Sequence, residues 1–252
     1  LLRYVKRVAP ERDWAWLSNI KNRLWARASP AKDKTSRIRP AAELFALGIE
    51  LMHSATGFRS RYNRLAAEIR FRDGLIIALL AARPIRLKNL TALEIGRHLV
   101  CIDGVYWLRL EAEEVKNAKH IEVSLPEALT PWLERYLASV RPRLLGAATS
   151  NRLWVSCQGT PLFDGVIRHH VCKHTKAAFG VAISPHLFRD CAATSVAIED
   201  PEHVRIAASI LGHHSLATTQ RYYDQSRMLD AGRHYQAALT ALRDTIDETG
   251  SV

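Results

Sequence analysis

Apolar residues recur at helical spacing through most of this chain, and strand-like alternation is confined to one stretch. Trp14, Trp16, Leu17, Ile20, Leu24 and Trp25 repeat at helical intervals, and Ala41 to Met52 forms a second apolar run, so residues 1–56 read as helical. The polar, basic segment from Ser29 to Arg37 between them reads as a loop. Thr56-Gly57 interrupts the pattern within a break from Ser54 to Ser60. Arg61 to Ala82 then predicts one helix or two, burying Leu65, Ile69, Leu75, Ile76, Leu79 and Leu80. Pro84 cannot sit inside a helix, so the helix should end near it.

From Leu99 to Leu125 the texture changes. Val105 to Leu110 is rich in β-forming residues, and Ile121 to Leu125 alternates apolar and polar. The charged segment from Glu111 to His120 between them predicts a hairpin with an extended tip, with a further strand as an option near Leu99 to Ile102. Pro126 closes the sheet. Helical patterns follow at Leu129–Val140, Leu162–Phe179, Leu187–Ile198, His203–Leu211, Thr218–Tyr223 and Met228–Ile246. The expected fold class is therefore mostly α with a small antiparallel β-sheet (α+β). A helical segment over residues 1–56 precedes a larger domain over residues 60–252.

Composition narrows the function classes. Over 252 residues, 48% are hydrophobic, enough to build a core. The formal net charge of +11 acts as a long-range field that favours polyanions, nucleic acid first and an anionic membrane surface second. The longest apolar run, Gly74 to Ala82, is too short to span a membrane. Cys101, Cys157, Cys172 and Cys191 are widely spaced without a C-x-x-C pair, which argues against a disulfide scaffold or Cys-rich zinc site and suits a reducing cytoplasm. No secretory signal is visible, and the chain opens Leu1-Leu2-Arg3 without Met, as a fragment of a longer protein does.

The candidate chemistry lies in a dispersed set of cations and one phenol. Arg86 precedes Leu90 and Leu93, which are three apart and can both face a core while Arg86 projects from a helix N-terminus, an end that favours anions. Lys116 sits at the hairpin tip, where an ammonium could donate a proton to a leaving oxygen. His186 and Arg189 are three apart on one helix face, behind the helix-starting Ser184-Pro185. An imidazole and a forked guanidinium so placed can share one phosphate. His213 follows Gly212, a residue suited to ending a helix, and Thr218-Thr219 can cap a short helix carrying Tyr222 and Tyr223. A phosphodiester repels nucleophiles until its charge is neutralised from several directions, which is what such a set can do for a phenolic nucleophile. Each residue also has a plainer reading: a surface Arg capping a turn, a solvated hairpin Lys, a helix-capping His, an Arg paired with Asp190 or Glu199, a packing Tyr.

Taken in order, Arg86, Lys116, His186-x-x-Arg189, Leu211-Gly212-His213 and Tyr222 nine residues later resemble the tyrosine recombinases, the phage integrase family of site-specific recombinases. The resemblance covers about residues 60–245. It implies that Tyr222 attacks a DNA phosphate to give a 3′-phosphotyrosyl link and a free 5′-hydroxyl. It further implies that Arg86 and Arg189 stabilise the transition state, Lys116 protonates the leaving oxygen, and His186 and His213 bind the phosphate, His186 being the better general base. No metal, ATP or other cofactor is implied. The implied partners are double-stranded DNA and further copies of the chain, a dimer on each site and a tetramer in synapsis, in the bacterial cytoplasm or nucleoid. Residues 1–56 would correspond to the latter part of a core-binding domain. Two positions depart from the family pattern: Asn89 stands where an acidic residue is usual, and Asp190 where His is frequent.

Other readings compete. Tyr223 is a rival nucleophile. His169, His170, Cys172 and His174 include an i, i+4 pair with zinc-ligand spacing, but a basic helix facing DNA accounts for them better. A non-catalytic DNA-binding protein of the same fold and a type IB topoisomerase-like relaxing enzyme are the alternative functions. Met228, Leu229, Ala231, Tyr235, Ala238, Leu239 and Leu242 form an amphipathic stripe that can pack on its own domain or, by the resemblance, dock on a neighbouring protomer.

Overall fold

A computed structural model describes residues 1–27, 34–116, 118 and 120–199. The chain divides into two compact units, Leu1–Ser36 and Arg37–Val252. The first carries helices α1 (Leu2–Val8) and α2 (Ala15–Arg27). No residue of α2 is buried, and Trp16, Ile20, Leu24 and Trp25 are exposed. The helical period expected there is present, but its apolar stripe has no core of its own.

In the second unit, α3 (Ala41–Ala55) packs along α4 (Ala66–Ala82). The sequence grouped α3 with the segment before it, yet Leu44, Leu47, Leu51 and Met52 contribute to the core of the second unit. The two helices can approach because Gly48 and Gly74 face each other. A Cβ on Gly48 would lie 2.6 Å from the Ala78 nitrogen and 2.7 Å from the Gly74 oxygen. Helix α4 is buried from Phe71 to Ala81 on all sides, so the one-sided face expected from its sequence is exceeded. It ends at Ala82, two residues before Pro84.

Helix α5 (Leu87–Ala92) follows, then a three-stranded antiparallel meander of β1 (Leu99–Ile102), β2 (Val105–Leu110) and β3 (Ile121–Ser124). The hairpin and the optional third strand are thus both present. Register places Leu108 opposite Leu99 and Val123, and Leu108 is fully buried. A 3₁₀ turn at Ala112–Glu114 occupies part of the β2–β3 connection.

The helix expected at Leu129–Val140 runs as α6 (Thr130–Arg135), a π-helical turn at Tyr136–Val140, and α7 (Arg141–Leu145). The π turn holds Tyr136 in the core, where its hydroxyl donates to the Leu153 carbonyl at 2.9 Å. Helices α8 (Asp164–Phe179) and α9 (Pro185–Glu199) complete the described fold and both contact α4. The observed class, mostly helical with one small antiparallel sheet, is the expected one. No helix among the described residues is long and apolar enough to cross a membrane. The helices expected beyond residue 199, with His213, Tyr222, Tyr223 and the amphipathic stripe, lie outside the described residues.

Candidate active site

Arg86 is the N-cap residue of α5, with extended backbone, and its carbonyl accepts the Leu90 amide at 2.9 Å. Leu90 and Leu93 are fully buried, so the leucine spacing turns one face of this segment inward and leaves Arg86 half-buried at the rim. Arg83, also between α4 and α5, donates Nε to the Ser124 carbonyl at 3.0 Å. Burial lowers the affinity of its guanidinium for a proton.

Helix α9 opens with Pro185 at its first position, where a missing N–H costs nothing. His186 is exposed on its first turn and Arg189 is buried one turn further in. Arg189 reaches the α4–α5 connection, and Nη1 donates to the Pro84 carbonyl at 2.6 Å. That carbonyl is two residues before Arg86. The second box of the sequence motif is therefore fastened to the backbone that carries the first. Asp190, at a position where His is frequent in the resembled family, is buried.

Lys116 is exposed in the β2–β3 connection. Its approach is fixed on the side of Ala112–Glu114. Glu111 and Glu114 form a reciprocal capping box around the 3₁₀ turn. Asn89 on α5 donates its side-chain amide to the Glu114 carbonyl at 3.0 Å. The Glu114 carboxylate receives Arg97 Nη2 at 2.5 Å and His98 Nε2 at 3.1 Å. Burial would raise the Glu114 pKa, but the Glu111 amide, His98 and Arg97 outweigh it and lower it. Val115 then plugs into the core, and its carbonyl accepts the Ala118 amide at 2.8 Å.

Four of the six predicted site residues thus fall on segments that hydrogen bonds draw together around α5: Arg86, Lys116, His186 and Arg189. His213 and Tyr222 fall outside the described residues. Sequence reading missed Glu114 and His98. Which carboxylate closes on which cation depends on the path of the hairpin, which brings Glu114 to His98 across 16 positions of sequence.

Two histidines of α8 engage a carboxylate that the sequence reading did not pair with them. His170 Nδ1 lies 2.6 Å and His174 Nε2 3.2 Å from Asp73 Oδ2, and Arg72 binds Asp73 Oδ1 at 2.7 Å. His170 and His174 therefore face α4, while Arg168, His169 and Lys173 of the same helix stay exposed. A carboxylate does complete the i, i+4 pair, but the Arg72 guanidinium already neutralises it. Among the described residues no group of three His, Cys, Asp or Glu side chains could hold a metal.

Comparison with known proteins identifies the same region. The model of the phage integrase family matches residues 59–228. Tyrosine recombinase XerD of Pseudomonas aeruginosa is 37% identical over 108 residues, covering 42% of this chain and 36% of that protein. XerD of Chlorobaculum tepidum is 29% identical over 152 residues, 60% of this chain and 48% of that protein. The chain spans about half the length, or less, of these relatives. In fold, it is similar to the XerH site-specific recombinase bound to palindromic difH substrate in a post-cleavage complex. That match has a TM-score of 0.55 at 20% identity over 76% of this chain and 52% of that one. It is also similar to XerA recombinase, with a TM-score of 0.53 at 24% identity over 75% of this chain and 63% of that one.

Proposed function

Because the chain belongs to the phage integrase family, we propose that it is a site-specific DNA recombinase that cleaves and rejoins strands through a 3′-phosphotyrosyl intermediate. The observation that carries this reading is the tether of Arg189 to the Pro84 carbonyl at 2.6 Å, which gathers two guanidinium-bearing segments at the rim of α5.

In the reaction, the Tyr222 oxygen attacks the scissile phosphorus while His186 takes the phenolic proton. Arg86 and Arg189 neutralise the charge gathering on the non-bridging oxygens, and His213 adds a hydrogen bond. The bond from phosphorus to the 5′-oxygen breaks, its electron pair stays on that oxygen, and Lys116 supplies the proton. A 5′-hydroxyl from a partner strand reverses the step. The phosphotyrosine keeps the bond energy, so neither ATP nor a metal is required. The second compact unit, which begins at Arg37 and includes α3, is the catalytic domain, and the helices before it are part of a core-binding, DNA-binding domain. The partners are double-stranded DNA and copies of the same chain, two on a site and four in synapsis, in the bacterial cytoplasm.

The test is covalent trapping. The chain is incubated with nicked duplexes drawn from the DNA flanking its own gene, and adducts are resolved on a denaturing gel. An adduct lost in Tyr222→Phe and kept in Tyr223→Phe is expected. Salt-sensitive binding with no adduct on any duplex would favour a non-catalytic DNA-binding protein. Relaxation of supercoils without joining of two duplexes would favour a topoisomerase.

A further inference from the structure

Lys116 is exposed on a connection between strands, yet proton transfer demands placement within hydrogen-bond reach of the leaving oxygen. We propose that Asn89 and Glu114 form a clamp that positions Lys116 for that transfer. The inference rests on the reading of Lys116 as the proton donor.

Asn89 is buried on α5, three residues beyond Arg86. Its side-chain amide is the donor to the Glu114 carbonyl. An ionised carboxylate at this position has no proton to give, so the bond depends on Asn, the residue that departs from the family's usual acid. The same six-residue helix therefore carries Arg86 at its start and, one turn on, the tether of the Lys116 segment. It sets the spacing between a transition-state cation and the proton donor.

Glu114 is held from its other side as well. The Glu94 amide donates to His98 Nδ1 at 3.0 Å, which makes that nitrogen an acceptor and leaves the proton on Nε2. Nε2 then donates to the Glu114 carboxylate at 3.1 Å. Arg97 and the Glu111 amide, the latter at 3.0 Å, complete the set. With both its carbonyl and its carboxylate engaged, Glu114 cannot shift, and only buried Val115 separates it from Lys116.

Sulfur in place of the 5′ bridging oxygen separates positioning of an acid from general support of the fold. A thiolate leaves without a proton, since a thiol has a pKa of about 8.5. Misplacement of Lys116 should therefore slow the oxygen substrate alone. The full chain is first screened on nicked duplexes tiling the DNA that flanks its gene. The duplex it cuts is then remade with a 5′-bridging phosphorothiolate, and single-turnover cleavage is measured for the unaltered chain, Asn89→Asp, Glu114→Ala and Lys116→Ala. Asn89→Asp and Glu114→Ala are expected to cleave the oxygen substrate about 10- to 100-fold more slowly. Both should cut the sulfur substrate at nearly the unaltered rate. Equal slowing on both substrates would overturn the clamp as a positioning device, as would unchanged cleavage of the oxygen substrate. Should Asn89→Asp fail to fold, Glu114→Ala carries the same test, and thermal unfolding identifies that case. If Lys116→Ala is slow on both substrates, or slow on neither, the assignment of Lys116 fails and the clamp with it. A chain that cuts no duplex overturns the recombinase reading itself.

Discussion

Asp73 Oδ2 accepts a hydrogen bond from His170 Nδ1 at 2.6 Å, and this contact joins the central helix α4 to α8 across 97 residues of sequence. The same carboxylate pairs with Arg72, and both side chains are 2% exposed. Two elements that flank the candidate site are thus fixed by one buried charge cluster.

Removing the carboxylate should be costly. Asp73→Asn leaves the buried Arg72 guanidinium without its counter-charge, so the second unit should lose about 3–5 kcal/mol of stability. Urea unfolding followed by circular dichroism measures this. A midpoint unchanged from the unaltered chain would contradict the cluster's role.

The pH dependence follows from the same group. Burial raises the Asp73 pKa, but Arg72 and the hydrogen bonds from His170 and His174 outweigh burial and hold it well below its ordinary value of 3.8. A carboxylate depressed in the folded state contributes stability that is fully present above its unfolded value and lost as pH falls toward the folded one. The stability gap between the unaltered chain and Asp73→Asn should therefore shrink below about pH 4. Paired urea titrations at pH 6 and pH 3 check the sign, and a gap that widens in acid would count against it.

Gly48 tests the α3–α4 contact. A methyl group there meets backbone atoms of Ala78 and Gly74 at 2.6 and 2.7 Å, so the helices must separate. Gly48→Ala should cost about 1–3 kcal/mol despite its better helix propensity. A rise in thermal unfolding temperature would show that the helices yield freely.

Arg189→Lys keeps the charge but loses the fork. An ammonium has donors enough but no rigid planar fork to hold the Pro84 carbonyl while engaging two phosphate oxygens in fixed geometry. Single-turnover adduct formation should fall about 10²- to 10³-fold. DNA affinity, followed by fluorescence anisotropy, should change far less, and equal losses in the two measurements would argue that Arg189 serves binding alone.

Much of the architecture was legible in the sequence because its signals are local. Helical periodicity marked α3 and α4, Pro84 marked the end of α4, and β-forming residues around a charged tip marked the hairpin. The leucines after Arg86 correctly implied an arginine at a helix start. Less legible was α2, whose apolar stripe predicted a helix but not the exposure of its tryptophans. Nor did spacing reveal that His170 and His174 turn to Asp73, since a cationic helix face and a pair of carboxylate donors have the same spacing.

Residue type and order by themselves determined the helix-rich class, the cationic surface chemistry and the candidates Arg86, Lys116, His186 and Arg189. Those properties depend on neighbours within a few turns of chain or on charges that need no partner. Tertiary structure alone decided that Arg189 grips the Pro84 carbonyl, that Asn89 tethers Glu114, and that His170 and His174 turn inward to Asp73. Each of these joins groups 25 to 105 residues apart. A polar group leaves water only when folding brings it a partner, and the identity of that partner is set by how the helices pack.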